Sequence, residues 1–351
     1  MKRFGNLYEK IYDIENIRLA HQNARKGKKH YDEVKAVDAS PEFYFQQIYS
    51  MLKDKTFQNA EYHVFTRHFN KKVRRIFKLP YFPDRIIHHC IMQILEPIWK
   101  KSLIRDTYSS IKGRGLHDGV KRIKEALKDK EGTKYCLKLD IKKFYPSVNH
   151  DVLKRIVRKK IKCKDTLWLL DEIIESTEGV PIGNYLSQYF GNIYLSGLDH
   201  FVKEECRVKY YFRYCDDIIL LLGSKIRLRE IFHSIEGYCE SLVLSIKENY
   251  QIFPTNIRGI DFLGYRFFYE FTLLRKSIVL GFKNKIKSIL RNERGMPKSK
   301  IINGLMSYHG WMKHGDCRRL FLKYVDIDIQ NIIAKCCLLL KQKNPLKEVL
   351  V

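Results

Sequence analysis

The sequence has no apolar run near the roughly 20 residues that a transmembrane helix needs. Its first residues, Met1 to Glu9, lack the apolar core of a signal peptide, so we expect a cytoplasmic protein. The nine cysteines are scattered and include no Cys-x-x-Cys pair, which argues against a zinc knuckle and against a disulfide framework. We therefore expect buried free thiols.

Acidic residues are few relative to basic ones. The chain has 66 lysines and arginines against 39 aspartates and glutamates, which gives a formal charge of +27. Such an excess favours a polyanionic partner, because each neutralised phosphate releases a counterion. The basic residues are spread along the chain, which indicates a long groove for nucleic acid. Charge alone distinguishes neither DNA from RNA nor an enzyme from a passive binder.

The order of strand-like and helix-like segments predicts a mixed α+β fold. With 351 residues, of which 45% are hydrophobic, the chain is long enough for two or three lobes. The predicted strands cover 71–79, 135–141, both sides of the turn within 212–222, 244–253 and 260–269. One predicted helix begins at Ser40-Pro41, and another follows Pro181-Ile182-Gly183-Asn184. Further helices are predicted over 84–103, 116–127, 150–177 and 225–243, and again from about 275.

The most distinctive segment is Phe212-Arg213-Tyr214-Cys215-Asp216-Asp217, which an apolar run over 218–222 follows. The apolar residues on both sides predict a buried β-hairpin with Tyr-Cys-Asp-Asp at its turn. Adjacent carboxylates repel one another, so a cation that offsets their charge is one explanation. Ordinary turn chemistry is the other, because Asp is common in turns.

A third carboxylate, Asp140, lies near the end of the apolar strand that begins at Tyr135. If this strand and the hairpin are neighbours, Asp140, Asp216 and Asp217 meet at one edge of a sheet. Three carboxylates form a hard-oxygen site suited to Mg²⁺, which prefers carboxylates together with substrate phosphates. Two such ions can hold the attacking and leaving oxygens of a phosphoryl transfer.

From about residue 70 to 270, the sequence resembles the fingers and palm of reverse transcriptases, block by block and in the family's order. The similar blocks are Arg75 with Pro80-x-x-x-Asp84-Arg85-x-x-x-His89, Tyr108 to His117, Leu139-Asp140-Ile141-Lys142-Lys143-Phe144-Tyr145, Tyr214-Cys215-Asp216-Asp217, Lys247, and Phe262-Leu263-Gly264-Tyr265. The resemblance implies an RNA-directed DNA polymerase that extends a 3′-hydroxyl primer along RNA in a bacterial or phage-infected cell.

The implied fold class is an α+β right-hand polymerase with fingers, palm and helical thumb. The palm would be an antiparallel sheet with helices on one face. We expect N-terminal helices over 1–70, fingers over 71–134, a palm over 135–270 with an insertion at about 150–180, and a thumb over 271–351. The last part is too short for a maturase or endonuclease domain. Tyr308 and Trp311 are expected in the thumb core, and the apolar run over 332–340 is either core or a docking surface.

By this resemblance, Asp140, Asp216 and Asp217 are the catalytic residues. Together with the backbone carbonyl of Ile141, they are expected to hold two Mg²⁺ ions, for which Mn²⁺ can substitute.

Other residues would contact the deoxynucleoside triphosphate. Lys71 or Lys72, with Arg75, would neutralise its phosphates. Tyr145 would block a ribose 2′-hydroxyl, although an ordinary core aromatic is the alternative. Lys247 would protonate the departing pyrophosphate, although a solvated surface lysine is the alternative.

One block departs from many reverse transcriptases, which have Pro-Gln-Gly and Ser-Pro where this chain has Pro181-Ile182-Gly183 and Ser187-Gln188. The pattern resembles the reverse transcriptases of diversity-generating retroelements, which copy a template RNA with errors at adenines. Ile182 and Gly183 would face the nucleotide, and an aliphatic side chain cannot hydrogen-bond there, so discrimination should weaken. A neutral packing change is the alternative. Arg114, Ser187 and Gln188 are the expected template or primer contacts.

The same resemblance implies a structured template RNA, an RNA–DNA duplex and a basic, oligomeric accessory protein as partners. The nearest rivals are a retron, intron-derived or phage-defence reverse transcriptase. A non-catalytic RNA-binding protein is a rival of another class. Three carboxylates argue against it, because a passive binder has no use for acidic residues beside phosphate.

Overall fold

The computed structural model describes residues 2–69, 72–291 and 298–325. The chain divides into two compact units, each assembled from three separate stretches. Unit 1 comprises Met1–Thr107, Asp140–Arg207 and His233–Glu248, and unit 2 comprises Tyr108–Leu139, Val208–Phe232 and Asn249–Val351. The predicted limits of fingers, palm and thumb remain predictions.

The α-helices of the described residues, in chain order, are α1 Tyr8–Tyr12, α2 Ile14–Ala24, α3 Asp32–Ala39, α4 Pro41–Lys53, α5 Ile86–Lys100, α6 Leu116–Ala126, α7 His150–Arg158, α8 Lys164–Ile174, α9 Tyr185–Tyr194, α10 Ser196–His200, α11 Lys225–Ser241, α12 Thr255–Arg258, α13 Lys276–Arg291, α14 Lys298–Met312 and α15 Arg318–Tyr324. No helix in the described ranges is both long and apolar enough to cross a membrane.

The strands are β1 His63–Phe69, β2 Lys72–Lys78, β3 Tyr135–Asp140, β4 Tyr210–Tyr214, β5 Asp217–Leu222, β6 Gln251–Pro254, β7 Ile260–Phe262, β8 Tyr265–Phe267 and β9 Thr272–Leu274. They form three sheets, with the orders β1-β2, β4-β5-β3-β6 and β7-β8-β9. The mixture of helices and antiparallel strand pairs confirms the predicted α+β chain.

Unit 1 is built mainly from helices around an apolar core. Pro41 occupies the first position of α4, where its missing N–H removes no helical hydrogen bond. Helix α5 buries its apolar residues, including Ile91 and Leu95, and packs against α1 and α2. The β1-β2 hairpin, in which Thr66 faces Arg75, belongs to the same unit.

Unit 2 contains the four-stranded sheet, in which β3 has β5 on one side and β6 on the other. Strand β5 is almost entirely apolar, and its residues 218–221 are all buried in the core. The division between the units falls after Leu139, so every residue of β3 except Asp140 belongs to unit 2.

The last sheet differs from the strand predicted over 260–269. The chain reverses at Leu263-Gly264, so β7 and β8 form a hairpin in which Phe262 faces Tyr265. Both turn residues have positive φ, 51° and 81°, which is the geometry of tight hairpin turns. Atoms of the Trp311 ring lie 2.5 and 2.7 Å from where a Cβ on Gly264 would be, so only glycine fits beneath this ring.

Two further predictions are corrected. The strand expected over 244–253 is regular only in β6, and its earlier part makes a single bridge between Ile246 and Ile141. Of the seven cysteines in the described ranges, all are free thiols, but Cys163, Cys206 and Cys215 are half-exposed and not buried.

Tyr308 and Trp311 pack against other aromatic rings of unit 2, as expected of core residues, while their assignment to a thumb remains a prediction. The Tyr308 ring packs 5.6 Å from Phe282, and the Trp311 ring packs 5.4 Å from Tyr265. The apolar run over 332–340 lies outside the described residues.

Candidate active site

The Asp216-Asp217 pair lies at a hairpin turn in unit 2, as the sequence predicts. Tyr214 faces Asp217 across β4 and β5, so Cys215 and Asp216 form a two-residue turn. Cys215 has a φ of 58°, an unusual conformation for a residue with a side chain. The fully buried Arg213 fixes this turn, since its Nη1 donates to the Cys215 carbonyl over 3.0 Å.

Lys138 provides a positive charge beside Asp217. On β3, its Nζ lies 3.6 Å from Asp217 Oδ1, and it also donates a hydrogen bond to the Asp261 carbonyl. The Asp261 carboxylate is in turn held by Arg275 Nε at 2.6 Å. The ammonium of Lys138 is therefore fixed from two sides, and it offsets the charge of Asp217.

Asp140, the last residue of β3, has a lysine partner in unit 1. Lys247 Nζ lies 2.7 Å from Asp140 Oδ2, and the Lys247 backbone N–H donates to the Asp140 carbonyl over 2.9 Å. The other carboxylate oxygen, Oδ1, is buried and accepts no hydrogen bond from the described residues. A buried carboxylate oxygen without a donor is rare in proteins, and a cation would satisfy it.

The backbone after Asp140 has a carbonyl available for the same cation. Ile141 faces Ile246, and the hydrogen bonds flanking this pair run from Lys142 N to Ser245 O and from Lys247 N to Asp140 O. In an antiparallel pair of this kind, the central residue's own N–H and C=O point away from the opposite segment. The Ile141 carbonyl therefore faces away from residue 246.

Tyr145 is joined to the segment that carries Ile182. Its carbonyl accepts the Val180 N–H over 2.9 Å, while its ring packs 5.3 Å from that of Phe144. Both rings lie against Gly191 of α9, where a Cβ would be 3.1 Å from Phe144 and 3.4 Å from Tyr145. The half-buried Tyr145 ring thus has a fixed position within unit 1.

Ile182 and Gly183 lie against strand β2. The Phe77 N–H donates to the Ile182 carbonyl over 2.9 Å. Gly183 has a φ of 129°, and a Cβ there would lie 2.4 Å from the Phe77 carbonyl oxygen. A side chain at position 183 is therefore excluded. Arg75 is exposed on the same strand. Because it lies two residues before Phe77, the side chains of Arg75 and Phe77 share a strand face.

A chain of directed hydrogen bonds fixes the residue after Gly183. Asn184 is buried, and its Nδ2 donates to the Tyr62 hydroxyl over 2.7 Å. Ser176 Oγ lies 2.9 Å from that hydroxyl and donates to the Ile173 carbonyl over 2.7 Å. The Tyr62 hydroxyl is therefore the donor to Ser176, and the chain runs in one direction, which strengthens each bond.

The remaining predicted contacts have different surroundings. Ser187 is buried and donates to the Pro181 carbonyl over 2.6 Å, so it fixes the turn into α9, whereas Gln188 is exposed. Arg114 closes a tight turn in unit 2, since its N–H donates to the Ile111 carbonyl over 3.0 Å. Lys71 lies outside the described residues, as does the side chain of Lys72.

Protein side chains alone do not form a metal cage here. Within residues 2–69, 72–291 and 298–325, no group of three or more His, Cys, Asp or Glu side chains is close enough to hold a metal ion. The predicted site of Asp140, Asp216 and Asp217 is therefore not a preformed metal cage, and its metal ions remain a prediction.

The family model described as "Reverse transcriptase (RNA-dependent DNA polymerase)" matches residues 58–267, well over half of the chain. The chain belongs to the reverse transcriptase family. Membership confirms the predicted family and, with the helices and sheets described above, the right-hand polymerase fold class.

Two relatives of this reverse transcriptase are intron-type or bacterial proteins. Protein YkfC of Escherichia coli is 25% identical over 243 residues, which make up 56% of this chain and 64% of YkfC. The group II intron-encoded protein LtrA of Lactococcus lactis is 26% identical over 216 residues, 57% of this chain and 35% of LtrA. The chain therefore spans less than two thirds of these relatives.

Among solved structures, apo telomerase from Candida tropicalis is similar, with a TM-score of 0.47 and 13% identity over 71% of this chain and 61% of that one. Telomerase from Candida albicans, in complex with a fragment of telomeric RNA, has a TM-score of 0.48 and 14% identity over 68% of this chain and 52% of that one.

Sequence patterns did not indicate three groups of residues that position the candidate site residues. Lys138 could have been found, because it alternates with Leu137 and Leu139 on β3 and so shares a strand face with Asp140. Arg213 lies within an apolar strand, where period-two alternation does not predict a buried guanidinium. The Tyr62–Asn184 bond joins residues 122 positions apart, and no local pattern indicates it.

Proposed function

We propose that this chain is an RNA-directed DNA polymerase that extends a 3′-hydroxyl primer on a template RNA with deoxynucleoside triphosphates. The observation that carries the proposal is the sheet order, in which β3, ending at Asp140, is the neighbour of β5, beginning at Asp217. Family membership over residues 58–267 supports the same reaction. The formal charge of +27 suits a chain that binds a nucleic acid duplex.

In this proposal, Asp140, Asp216 and Asp217 hold two Mg²⁺ ions together with the Ile141 carbonyl, and Mn²⁺ can substitute. The buried Oδ1 of Asp140, which accepts no hydrogen bond from the described residues, fits such a ligand. When bound, the ions supply charge stabilisation at the attacking and leaving oxygens. The ions also need phosphate oxygens from the nucleotide to complete their coordination.

The chain's own residues then position the substrates. Lys247 and Lys138 lie against the carboxylates and orient them, and Lys247 Nζ can hydrogen-bond pyrophosphate when Asp140 binds a cation instead. Arg75, exposed on β2, would neutralise the triphosphate, with Lys71 or Lys72 nearby in sequence. Arg114 and Gln188 remain the proposed template and primer contacts. Ser187, expected as a third contact, is buried and would instead position this segment by fixing the turn into α9.

Nucleotide selection is assigned to Tyr145, Ile182 and Gly183. The bonds from Val180 to Tyr145 and from Phe77 to Ile182 support this, because they fix both segments in unit 1. A fixed Tyr145 ring would exclude a ribose 2′-hydroxyl, whereas Ile182 offers no hydrogen bond to the base or sugar. Weaker discrimination follows from that missing contact. Its concentration at template adenines rests on the resemblance to the reverse transcriptases of diversity-generating retroelements.

If the enzyme is of the diversity-generating retroelement type, we expect it to use a structured template RNA and a basic oligomeric accessory protein. We also expect it in the cytoplasm of a bacterial or phage-infected cell. A retron, intron-derived or phage-defence enzyme would use the same carboxylates without the adenine errors. Sequencing of the product separates these enzymes.

The experiment for the reaction is primer extension on an RNA template with Mg²⁺, with Mn²⁺ and with a chelator, in the presence and absence of the candidate accessory protein. We expect templated DNA only when a divalent cation is present. No templated DNA under any of these conditions would overturn the proposal.

The experiment for the retroelement type is sequencing of that DNA from the wild type and from Ile182→Gln. We expect substitutions concentrated opposite template adenines in the wild type and several-fold fewer in the variant, since the amide restores a hydrogen bond. Faithful copying of adenines by the wild type would reject the mutagenic assignment and leave the polymerase assignment standing.

A further inference from the structure

Unit 1 contains a pocket of about 250 Å³ whose lining includes none of the residues assigned to the polymerase reaction. Its walls come from the end of α5, from α7, from α9 and α10, and from the end of α11. Among the wall residues, Trp99, Ile193, Tyr194 and Leu242 are buried. A concave apolar site with a few polar groups is the usual form of a small-molecule site.

The walls of this pocket are held in place by their own hydrogen bonds. The Tyr194 hydroxyl donates to the Leu242 carbonyl over 2.6 Å and accepts from Asn149 N over 3.2 Å. Gly197 leaves room for the opposite wall, because a Cβ there would lie 2.5 Å from the Tyr238 hydroxyl oxygen. These contacts within the chain define the shape of the pocket.

One wall carries a buried donor that lacks an acceptor. Trp99 is 1% exposed, and its indole Nε1 makes no hydrogen bond within the described residues. Other atoms of this residue line the pocket, so the indole N–H signal of Trp99 reports on a molecule bound there.

The solvent side of the pocket is basic. Lys159 is exposed and Lys160 is half-buried, and neither forms an ion pair with any side chain in the described part of the chain. His200, also in the lining, has Glu204 Oε1 2.5 Å from Nδ1 and the Ser102 carbonyl 2.9 Å from Nε2.

The third basic residue of the lining, His200, is paired with a carboxylate within the chain. Burial lowers the pKa of His200, but the hydrogen bonds to Glu204 and Ser102 raise it by more, so the net shift is upward. Since both ring nitrogens face acceptors, the imidazolium form satisfies both. This cation is already neutralised by Glu204, which leaves Lys159 and Lys160 to bind an anion.

We propose that this pocket binds a small organic anion whose planar apolar body lies between Trp99, Ile193 and Leu242. The negative charge of the ligand lies against Lys159 and Lys160. Burial of the apolar body provides affinity, while the two ammonium groups select an anion.

The test uses a hydroxynaphthoate, with its hydroxyl and carboxylate at opposite ends of the ring system, as the probe. The chain has three tryptophans, so the full-length protein labelled with ¹⁵N gives few indole N–H signals, and Trp99→Phe identifies that of Trp99. We expect this signal to shift saturably, with a dissociation constant of about 0.1 mM or tighter. No saturable shift of the Trp99 signal would overturn the proposal.

Charge recognition is tested with Lys159→Gln/Lys160→Gln, whose side chains lie at the solvent side, so the fold is not at risk. We expect the probe to bind about tenfold more weakly to this variant, and naphthol, which lacks the carboxylate, to bind about tenfold more weakly to the wild type. A matched control, Lys121→Gln/Lys124→Gln, removes two lysines outside the pocket and should leave affinity unchanged. Equal affinity in the wild type and the Lys159/Lys160 variant would refute the proposal.

Discussion

Two lysines compensate the carboxylates on which the proposed reaction depends. Lys247 Nζ lies 2.7 Å from Asp140 in unit 1, and Lys138 Nζ lies 3.6 Å from Asp217 in unit 2. Each lysine also has a backbone hydrogen bond, so its position does not depend on the ion pair alone. In the proposed reaction, Asp140 would hold a divalent cation when the nucleotide binds, and the Lys247 ammonium, no longer paired with Asp140, would contact the phosphates.

Tyr62 is the residue whose loss should separate positioning from chemistry. In Tyr62→Phe, Asn184 Nδ2 and Ser176 Oγ lose the hydroxyl between them, and the segment that carries Ile182 loosens. We expect the KM for deoxynucleotides to rise about tenfold with a smaller change in kcat, because misplacement weakens substrate binding. Steady-state primer extension measures both constants.

The matched control for this residue is Tyr44→Phe. The Tyr44 hydroxyl makes no hydrogen bond in the described part of the chain, so its removal should leave KM unchanged. If Tyr62→Phe also leaves KM unchanged, the hydrogen-bond chain has no part in positioning the nucleotide.

At the scale of elements, the contact of residues 181–183 with β2 depends on one glycine. Gly183→Ala places a Cβ 2.4 Å from the Phe77 carbonyl oxygen at a φ of 129°. We expect the free energy of unfolding to fall by about 1–3 kcal/mol and polymerase activity to fall with it. Urea unfolding followed by circular dichroism measures the first effect.

Gly237→Ala is the control for this substitution, because Gly237 lies within α11 and a Cβ there meets no atom within 4 Å. Alanine should stabilise that helix slightly, by up to about 1 kcal/mol. Equal stabilities of the two variants would contradict the close contact at Gly183.

We expect a stacked pair of histidines to make the stability of unit 2 depend on pH. The rings of His117 and His314 lie 3.8 Å apart at an angle of 24°. Burial, followed by His117 and nearby lysines, lowers the pKa of His314 to about 4, and burial with Lys121 lowers the pKa of His117. The pKa of a histidine in the unfolded chain is about 6.5, so the unfolded state binds more protons than the folded state below that pH. The free energy of unfolding therefore decreases as the pH falls from about 6.5 towards 4.

We expect the urea midpoint of the wild type to fall between about pH 7.5 and pH 5, and to fall less in His117→Gln/His314→Gln. His30→Gln, which changes an exposed histidine, is the control and should keep the wild-type dependence. If the double variant loses as much stability as the wild type, the pair does not cause the acid sensitivity.

Sequence patterns predicted the strands that are rich in apolar residues and the helix that has a clear start signal. Strand β5 was predictable because all its residues but Asp217 are apolar, β3 because four of its six residues are apolar, and α4 because Ser-Pro marks its start. The β7-β8 turn was not, because leucine at position 263 has positive φ, and no turn rule selects leucine there. The Trp311 ring that requires Gly264 comes from a helix about 50 residues later in the chain.

The candidate site, like the fold, was predictable only where local sequence patterns indicate it. The carboxylates could be assigned from family blocks, whereas their partners could not, because Lys138 and Arg213 act through tertiary contacts. The position of Ile182 against Phe77 likewise joins segments about 100 residues apart.

For the whole molecule, the net charge of +27 predicts a steep salt dependence of RNA binding. If the chain neutralises six or more phosphates, affinity should fall by at least about 10³-fold between about 50 and 200 mM salt, through counterion release. Filter binding across this range measures the slope. A change of less than about tenfold would contradict a long basic groove.

The central claim is that Asp140, Asp216 and Asp217 are the carboxylates of a templated polymerase. The most direct measurement is primer extension by Asp140→Asn and by Asp216→Asn/Asp217→Asn, with RNA binding measured in parallel and with exposed Asp151→Asn as the control. We expect synthesis below about 0.1% of wild type in the first two and wild-type synthesis in the control, with RNA binding retained in all. Synthesis within about tenfold of wild type in either carboxamide variant would contradict it.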